Sequence, residues 1–303
     1  MNGVLVVDKP AGPTSHDVVA RVRRVLGVSR VGHTGTLDPL ASGVLPLVIG
    51  RATRLASLLS ATSKHYEAAV RFGATTDTYD VQGRLVSGDP ATVLSVPSPP
   101  AALTANAIEA VLDEFRGTYL QTPPPFSAKK IGGVPAYRLA RQSRPVTPQP
   151  SPVNVERLTL ESYDAGLARL TVACSAGFYV RSLAHELGQR LGCGAYLEAL
   201  RRTRAGEVGL DQATPLETLE MEGAASVARL IPMDALLPWL ARAVLNERGV
   251  QRASHGNALC AEDLATSDGR PDGPVRLTDG TGALLGIAEP RADGLLHPVI
   301  VLV

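Results

Sequence analysis

The stretch of this sequence best suited to chemistry is GHTGTLDPLASGVL, residues 32–45. Three glycines, Gly32, Gly35 and Gly43, surround a single acid, Asp38. Pro39 after it disfavours the helical region for Asp38, which sets the acid in an extended or turn conformation. A loop this free of side chains lets another backbone approach closely. Two readings stand on the residues alone: a tight turn in which Asp38 accepts local amide hydrogen bonds, and a reactive carboxylate. The chain has no P-loop, dinucleotide fingerprint, HExxH or GxSxG motif to compete with it.

Regular elements must hold that loop. Residues 4–7 are apolar and predict a buried strand. Ser15 is placed to cap a helix in which Val18, Val19, Val22, Val25 and Leu26 recur at helical spacing, with Gly27 as its stop. After the loop, residues 44–49 predict a second strand, 51–60 a helix and 66–72 an alternating strand. Thr104 is set to cap a helix that turns Ile108, Val111, Leu112 and Phe115 inward and stops at Gly117. Residues 153–162 and 167–174 alternate like paired strands, and 182–191 read as a helix ended by Gly192. Strands and helices do not interleave evenly, so the expected fold class is α+β with a mixed sheet, not a doubly wound parallel one. From Pro232 the segments shorten and Asp-Gly turns recur at Asp268, Asp272, Asp279 and Asp293, which predicts a small β-rich domain over residues 232–303 behind a first domain of residues 1–231.

Composition narrows the class. With 45% apolar and 19% charged residues, the chain is an ordinary globular one and disorder is excluded as its main state. Cys174, Cys193 and Cys260 form no CxxC pair, which supports neither a zinc site nor a disulfide framework and fits a reducing, cytoplasmic location. No run approaches 18 apolar residues, and MNGVLVVDKPAG lacks a basic leader pattern, so neither a membrane span nor a secretory leader is expected. The net charge of +1 conceals a division: residues 1–210 carry 23 basic and 16 acidic side chains, and residues 211–303 carry 7 and 13. The two parts are therefore +7 and −6.

GHTGTLDPLASGVL resembles the catalytic-loop signature of the tRNA pseudouridine synthase B family. Further stretches are similar to that family in order and spacing: VVDKPAGPTSHDVV (6–19), KHY (64–66), GATTDTYDVQG (73–83), PPPFSAKKIGGVPAYRLAR (123–141), CSAGFYVRSLAHELGQRLGCGAYLEALRRTRAGE (174–207) and PMDALLP (232–238). The resemblance reaches about residue 240, and the remainder more loosely resembles a reduced RNA-binding PUA-type domain. It implies the pseudouridine synthase fold and the isomerisation of one T-loop uridine of tRNA, position 55, by an enzyme without metal or other cofactor. It also implies a monomer with tRNA as partner, no obligate protein partner and no membrane.

The resemblance assigns roles residue by residue. Asp38 is the essential catalytic carboxylate. Arg181, from GFYVRS, is its cation; a guanidinium can hold a carboxylate bidentately and stays charged at any relevant pH. Tyr66 lies against the base with its hydroxyl near the carbon that loses a proton, Tyr179 lines the pocket, and Leu200 gives it an apolar wall. A base stacked inside a folded loop must be flipped out to be reached, and His33 is the expected wedge. Lys9 supports the catalytic loop. The reaction breaks a C–N glycosidic bond, turns the base and joins C1′ to C5. One carboxylate suffices, whereas an ordinary glycosidase wants two. Attack at C6, attack at C1′ and a glycal route all remain open.

Charge gives a separate line of reasoning. Residues 127–147 hold Lys129, Lys130, Arg138, Arg141 and Arg144 with no acid, and residues 199–206 hold Arg201, Arg202 and Arg204 with none. Solvated faces usually mix signs, so Lys129, Lys130, Arg141, Arg201 and Arg202 are candidates for RNA phosphate. Two rivals to the enzyme stay open: a tRNA-binding or tRNA-folding protein whose catalysis is dispensable, and a guide-RNA-dependent relative.

Overall fold

A computed structural model describes residues 1–86, 103–127, 129–131, 134–135, 148–267 and 273–303, with backbone alone at 130, 131, 134, 135 and 267. A ten-stranded mixed sheet dominates it. The main path runs Thr214–Pro215, Gly3–Lys9, Ser42–Ile49, Ala195–Ala205, Lys64–Phe72, Leu167–Cys174, Ser151–Asp164 and Gly117–Gln121. Val31–His33 pairs beside Ser42–Ile49. The expected α+β class is the one found.

The centre of this sheet decides where chemistry can sit. Ser42–Ile49 and Ala195–Ala205 run parallel, yet they pair only at Ser42 with Arg201 and Gly43 with Arg202. Residues 34–41 enter that short join without regular structure, and they carry Asp38. Gly43 sits at φ +102°, and a Cβ there would lie 2.1 Å from the Arg202 carbonyl oxygen. Only glycine fits both the backbone conformation and the approach.

Helices pack on the sheet through apolar faces. Ser15–Leu26 buries Val18, Val19, Val22 and Leu26 and ends at Gly27 in the left-handed region. Each such side chain contributes about 1.5–3 kcal/mol of transfer free energy. Its N-cap, however, is Thr14 and not Ser15. Thr14 Oγ accepts the Asp17 N–H while the Asp17 carboxylate accepts the Thr14 N–H, so the reciprocal capping box belongs to the residue before. Val180–Arg190 lies over the start of Ala195–Ala205 so closely that a Cβ on Gly188 would meet the Ala195 nitrogen at 2.0 Å. Ala105–Leu112, capped by Thr104, ends before Gly117, which opens the strand Gly117–Gln121.

A second sheet has the order Leu264–Ser267, Ala241–Leu245, Val275–Thr278, Leu284–Pro290, Leu296–Val301. It is β-rich as expected but also carries the helix Glu247–Ser254, capped by Asn246. Of the expected turns, those at Asp268 and Asp272 lie outside the described residues. Val4, Val6, Val44 and Val48 from the first sheet share an apolar cluster with Leu236, Leu237, Leu284, Ile287 and Leu302. No helix among the described residues is long and apolar enough to cross a membrane.

Candidate active site

Asp38 reaches a cavity of about 240 Å³ at the central join of the sheet. Arg181 projects into it from the first turn of Val180–Arg190 and grips the carboxylate with two nitrogens: Nε donates to Oδ2 at 2.9 Å and Nη2 to Oδ1 at 3.2 Å. The Arg181 side chain is 6% exposed and that of Asp38 34%, so the cation is sealed behind the acid it holds. Two of the three remaining guanidinium protons are also used. Nη1 donates to the Thr78 carbonyl and Nη2 to the Phe126 carbonyl, both at 3.0 Å.

Behind the guanidinium stands a second carboxylate that sequence reasoning did not single out. Asp80 Oδ2 lies 3.7 Å from Arg181 Nε, and its side chain is 7% exposed. Its Oδ1 accepts the Thr78 hydroxyl at 2.7 Å and the Gln82 N–H at 3.0 Å. The intervening Tyr79 takes φ +65°, unusual for a residue with a Cβ, and its ring stacks on His185 at 3.8 Å. The GATTDTYDVQG stretch was visible in the sequence, but the contact joins residues a hundred positions apart.

Tyr66 and Leu200 enter the same cavity from neighbouring strands; Ala68 pairs with Leu200, and Tyr66 with Arg202. Tyr179 lines it too, its backbone clamped by Gln121, which donates to the Tyr179 carbonyl and accepts its N–H. Burial pushes both phenols above their usual range. They stay protonated at neutral pH.

Six further candidates, Arg201, Arg202, Lys129, Lys130, Arg141 and His33, stand apart from the Asp38–Arg181 pair or lie beyond the described side chains. Arg202 is 1% exposed, with Nε on the Val44 carbonyl at 2.7 Å and Nη2 on the Gly35 carbonyl at 3.0 Å. That corrects its expected role as a surface phosphate contact: strand alternation turns it inward, where it lines the cavity. Arg201, on the opposite face, is held by Asp8 through both nitrogens, at 2.8 and 3.2 Å, so it is no free cation. Lys129 stands 3.5 Å from the Gln149 carbonyl. Lys130 is described by its backbone alone, and Arg141, with Arg138 and Arg144, lies outside the described residues. His33 does not line the cavity; it meets His16 edge-on with ring centroids 5.4 Å apart. Burial, then His16 and Arg202, lower its imidazole below the usual range.

Lys9 and Lys64 complete the surroundings. Lys9 Nζ donates to the carbonyls of Ala41 at 2.6 Å and Pro10 at 2.8 Å, tying down the end of the Asp38 loop. Lys64 Nζ donates to the Ser60 carbonyl at 2.8 Å and to the Thr62 carbonyl. Burial pulls each amine down to about 8 from 10.5, with Arg202 adding to it and Asp38 opposing it at Lys9. Unfolded, each amine keeps its proton up to about pH 10.5; folded, it releases it near 8. The unfolded chain therefore binds more protons between those values, and stability contributed by these groups rises with pH there. Urea unfolding should show a midpoint that climbs from about pH 8 to 9.5, with a smaller climb in Lys64→Met. A midpoint that falls across this window in both proteins would contradict the burial argument.

The fold and the match of residues 23–180 to a pseudouridylate synthase model place the chain in the class of pseudouridylate synthases. Within that class the chain belongs to the TruB family. The model described as TruB family pseudouridylate synthase (N terminal domain) matches residues 23–180, that of the tRNA pseudouridylate synthase B C-terminal domain residues 181–238, and that of Pseudouridine synthase II TruB, C-terminal, residues 241–302. The chain is 43% identical over 304 residues to a tRNA pseudouridine synthase B of Solibacter usitatus, covering 100% of both chains. It is 42% identical to one of Geobacter sulfurreducens, covering 96% of this chain and 94% of that one. Among solved structures, a Cbf5-Nop10-Gar1 complex matches with a TM-score of 0.74 and 25% identity, covering 99% of this chain and 85% of that one. An archaeal box H/ACA sRNP Nop10-Cbf5 complex matches with a TM-score of 0.73 and 24% identity, covering 99% and 86%.

Proposed function

We propose that this protein acts on tRNA and converts one uridine of the T loop to pseudouridine, with Asp38 as the essential carboxylate. The observation that carries the reading is the bidentate Asp38–Arg181 pair in a cavity walled by Tyr66, Tyr179 and Leu200. The reaction is an isomerisation: the C1′–N1 bond breaks, C1′ joins C5, and the hydrogen on C5 is lost to solvent while N1 gains one. It needs an ionised carboxylate close to the sugar or the base. Arg181 holds the Asp38 carboxylate in place with two charge-assisted hydrogen bonds. Asp80 does not line the cavity, so among the described residues the site offers the substrate one carboxylate and not a glycosidase pair.

A cavity of about 240 Å³ takes one base and not a stacked loop, so the target is extruded before it reacts. Tyr66 gives the base an aromatic face and Leu200 an apolar one. Protonated at neutral pH, the two phenols act there as hydrogen-bonding groups. His33 sits beside the cavity and not in it, a place suited to a side chain that braces the gap the base leaves behind.

The test is to incubate purified protein alone with an unmodified tRNA transcript and map pseudouridine. A single modified T-loop uridine, with no guide RNA present, is the expected result. Binding without modification would support the tRNA-folding rival, and modification only on addition of a guide RNA would support the guide-dependent one.

A further inference from the structure

Ser15 has a hydroxyl that its own helix does not use. Thr14 supplies the cap, and Ser15, 1% exposed, reaches back to the catalytic loop. Its Oγ accepts the Leu37 N–H at 2.8 Å and donates to the Leu37 carbonyl at 2.9 Å. One hydroxyl thus satisfies both polar groups of a buried residue, as two groups of a neighbouring strand would. The Leu37 carbonyl belongs to the peptide that joins Leu37 to Asp38, so the bond it accepts fixes the plane from which the Asp38 Cα departs, and the Leu37 N–H bond fixes the peptide before it.

The C-terminal part of the loop is held from the same short segment, and its start by Arg202 on the Gly35 carbonyl. Gly12 N–H donates to the Pro39 carbonyl at 2.8 Å, and Lys9 Nζ to the Ala41 carbonyl. The loop has no strand partner between 34 and 41 except the Thr34 N–H on the Pro46 carbonyl, so these contacts replace a sheet ladder. Arg181 holds the carboxylate end of Asp38; among the described residues Ser15 alone hydrogen-bonds the Leu37 backbone before it, while the Leu37 side chain packs in the core. A carboxylate fixed at its tip but loose at its Cα samples directions away from the reacting atom, and a misplacement of about 1 Å can cost on the order of 100-fold in rate.

We propose that Ser15 is a positioning residue for Asp38, acting through the Leu37 peptide and touching no substrate. The proposal rests on the isomerase reading above. Its test compares Ser15→Ala with Thr14→Ala, a neighbour on the same helix end that weakens the cap and leaves Leu37 alone. The probe is prefolded tRNA transcript tritiated at uridine C5, followed by tritium release in single-turnover conditions, with tRNA affinity measured in parallel. Ser15→Ala is expected to lose roughly 30- to 100-fold in rate with affinity unchanged within about threefold, while Thr14→Ala keeps its rate within about twofold. Ser15→Cys, which fills the volume with a weak hydrogen-bonding group, gives the same split if Ser15→Ala does not fold. A Ser15→Ala rate within about threefold of wild type, or equal losses in Ser15→Ala and Thr14→Ala, overturns the proposal. Seen beside an inactive Asp38→Asn, that outcome leaves the isomerase reading standing; inactive wild-type protein overturns both.

Discussion

Asp38→Asn is expected to abolish pseudouridine formation, by about 1,000-fold or more in rate, and to leave tRNA affinity within about threefold. Asparagine keeps the size and one acceptor oxygen, so Arg181 retains a partner there. The guanidinium also keeps its bonds to the Thr78 and Phe126 carbonyls and its neighbour Asp80, which hold it in place without the Asp38 charge. What is lost is the negative charge and the nucleophilic or basic oxygen. Tritium release and RNA binding, measured on the same preparation, separate the two effects. A rate within about tenfold of wild type would remove Asp38 from the reaction.

Arg181→Lys follows in size. Lysine keeps the charge, but a point-like ammonium cannot span both Asp38 oxygens and the two carbonyls that the planar guanidinium bridges. Turnover should fall about 100-fold, the range seen when one preorganised charge-stabilising donor is removed, with affinity changed by less than about threefold. Equal losses in turnover and affinity would make Arg181 an RNA-binding residue.

The sequence made the Asp38 loop legible because its glycines and Asp-Pro pair restrict the backbone locally, and the strand over residues 167–174 because alternation is a local signal. Ser15 was misassigned by one position: either Thr14 or Ser15 could cap, and only the Asp17 capping box three residues after Thr14 distinguishes them. Arg202 was misplaced for a related reason. Three arginines in four residues read as one basic patch, but alternation puts Arg201 and Arg202 on opposite faces, a bulge separates Arg202 from Arg204, and Arg202, paired with Tyr66, faces inward. Asp80 could not be found from spacing, since its meaning depends on the loop around Tyr79 reaching a helix that begins at Val180. The helix Glu247–Ser254 was missed although Asn246 is an ordinary cap signal; recurring Asp-Gly turns around it drew the reading toward strands alone.

The central claim is that the Asp38 carboxylate of this chain, acting alone, isomerises a uridine of tRNA. Its most direct test uses chelator-treated wild-type protein in excess over prefolded transcript whose uridines carry tritium at C5. Release of one tritium per tRNA, and none from Asp38→Asn under the same conditions, is the predicted result. Label that stays on the RNA with wild-type protein, or equal release by Asp38→Asn, would contradict it.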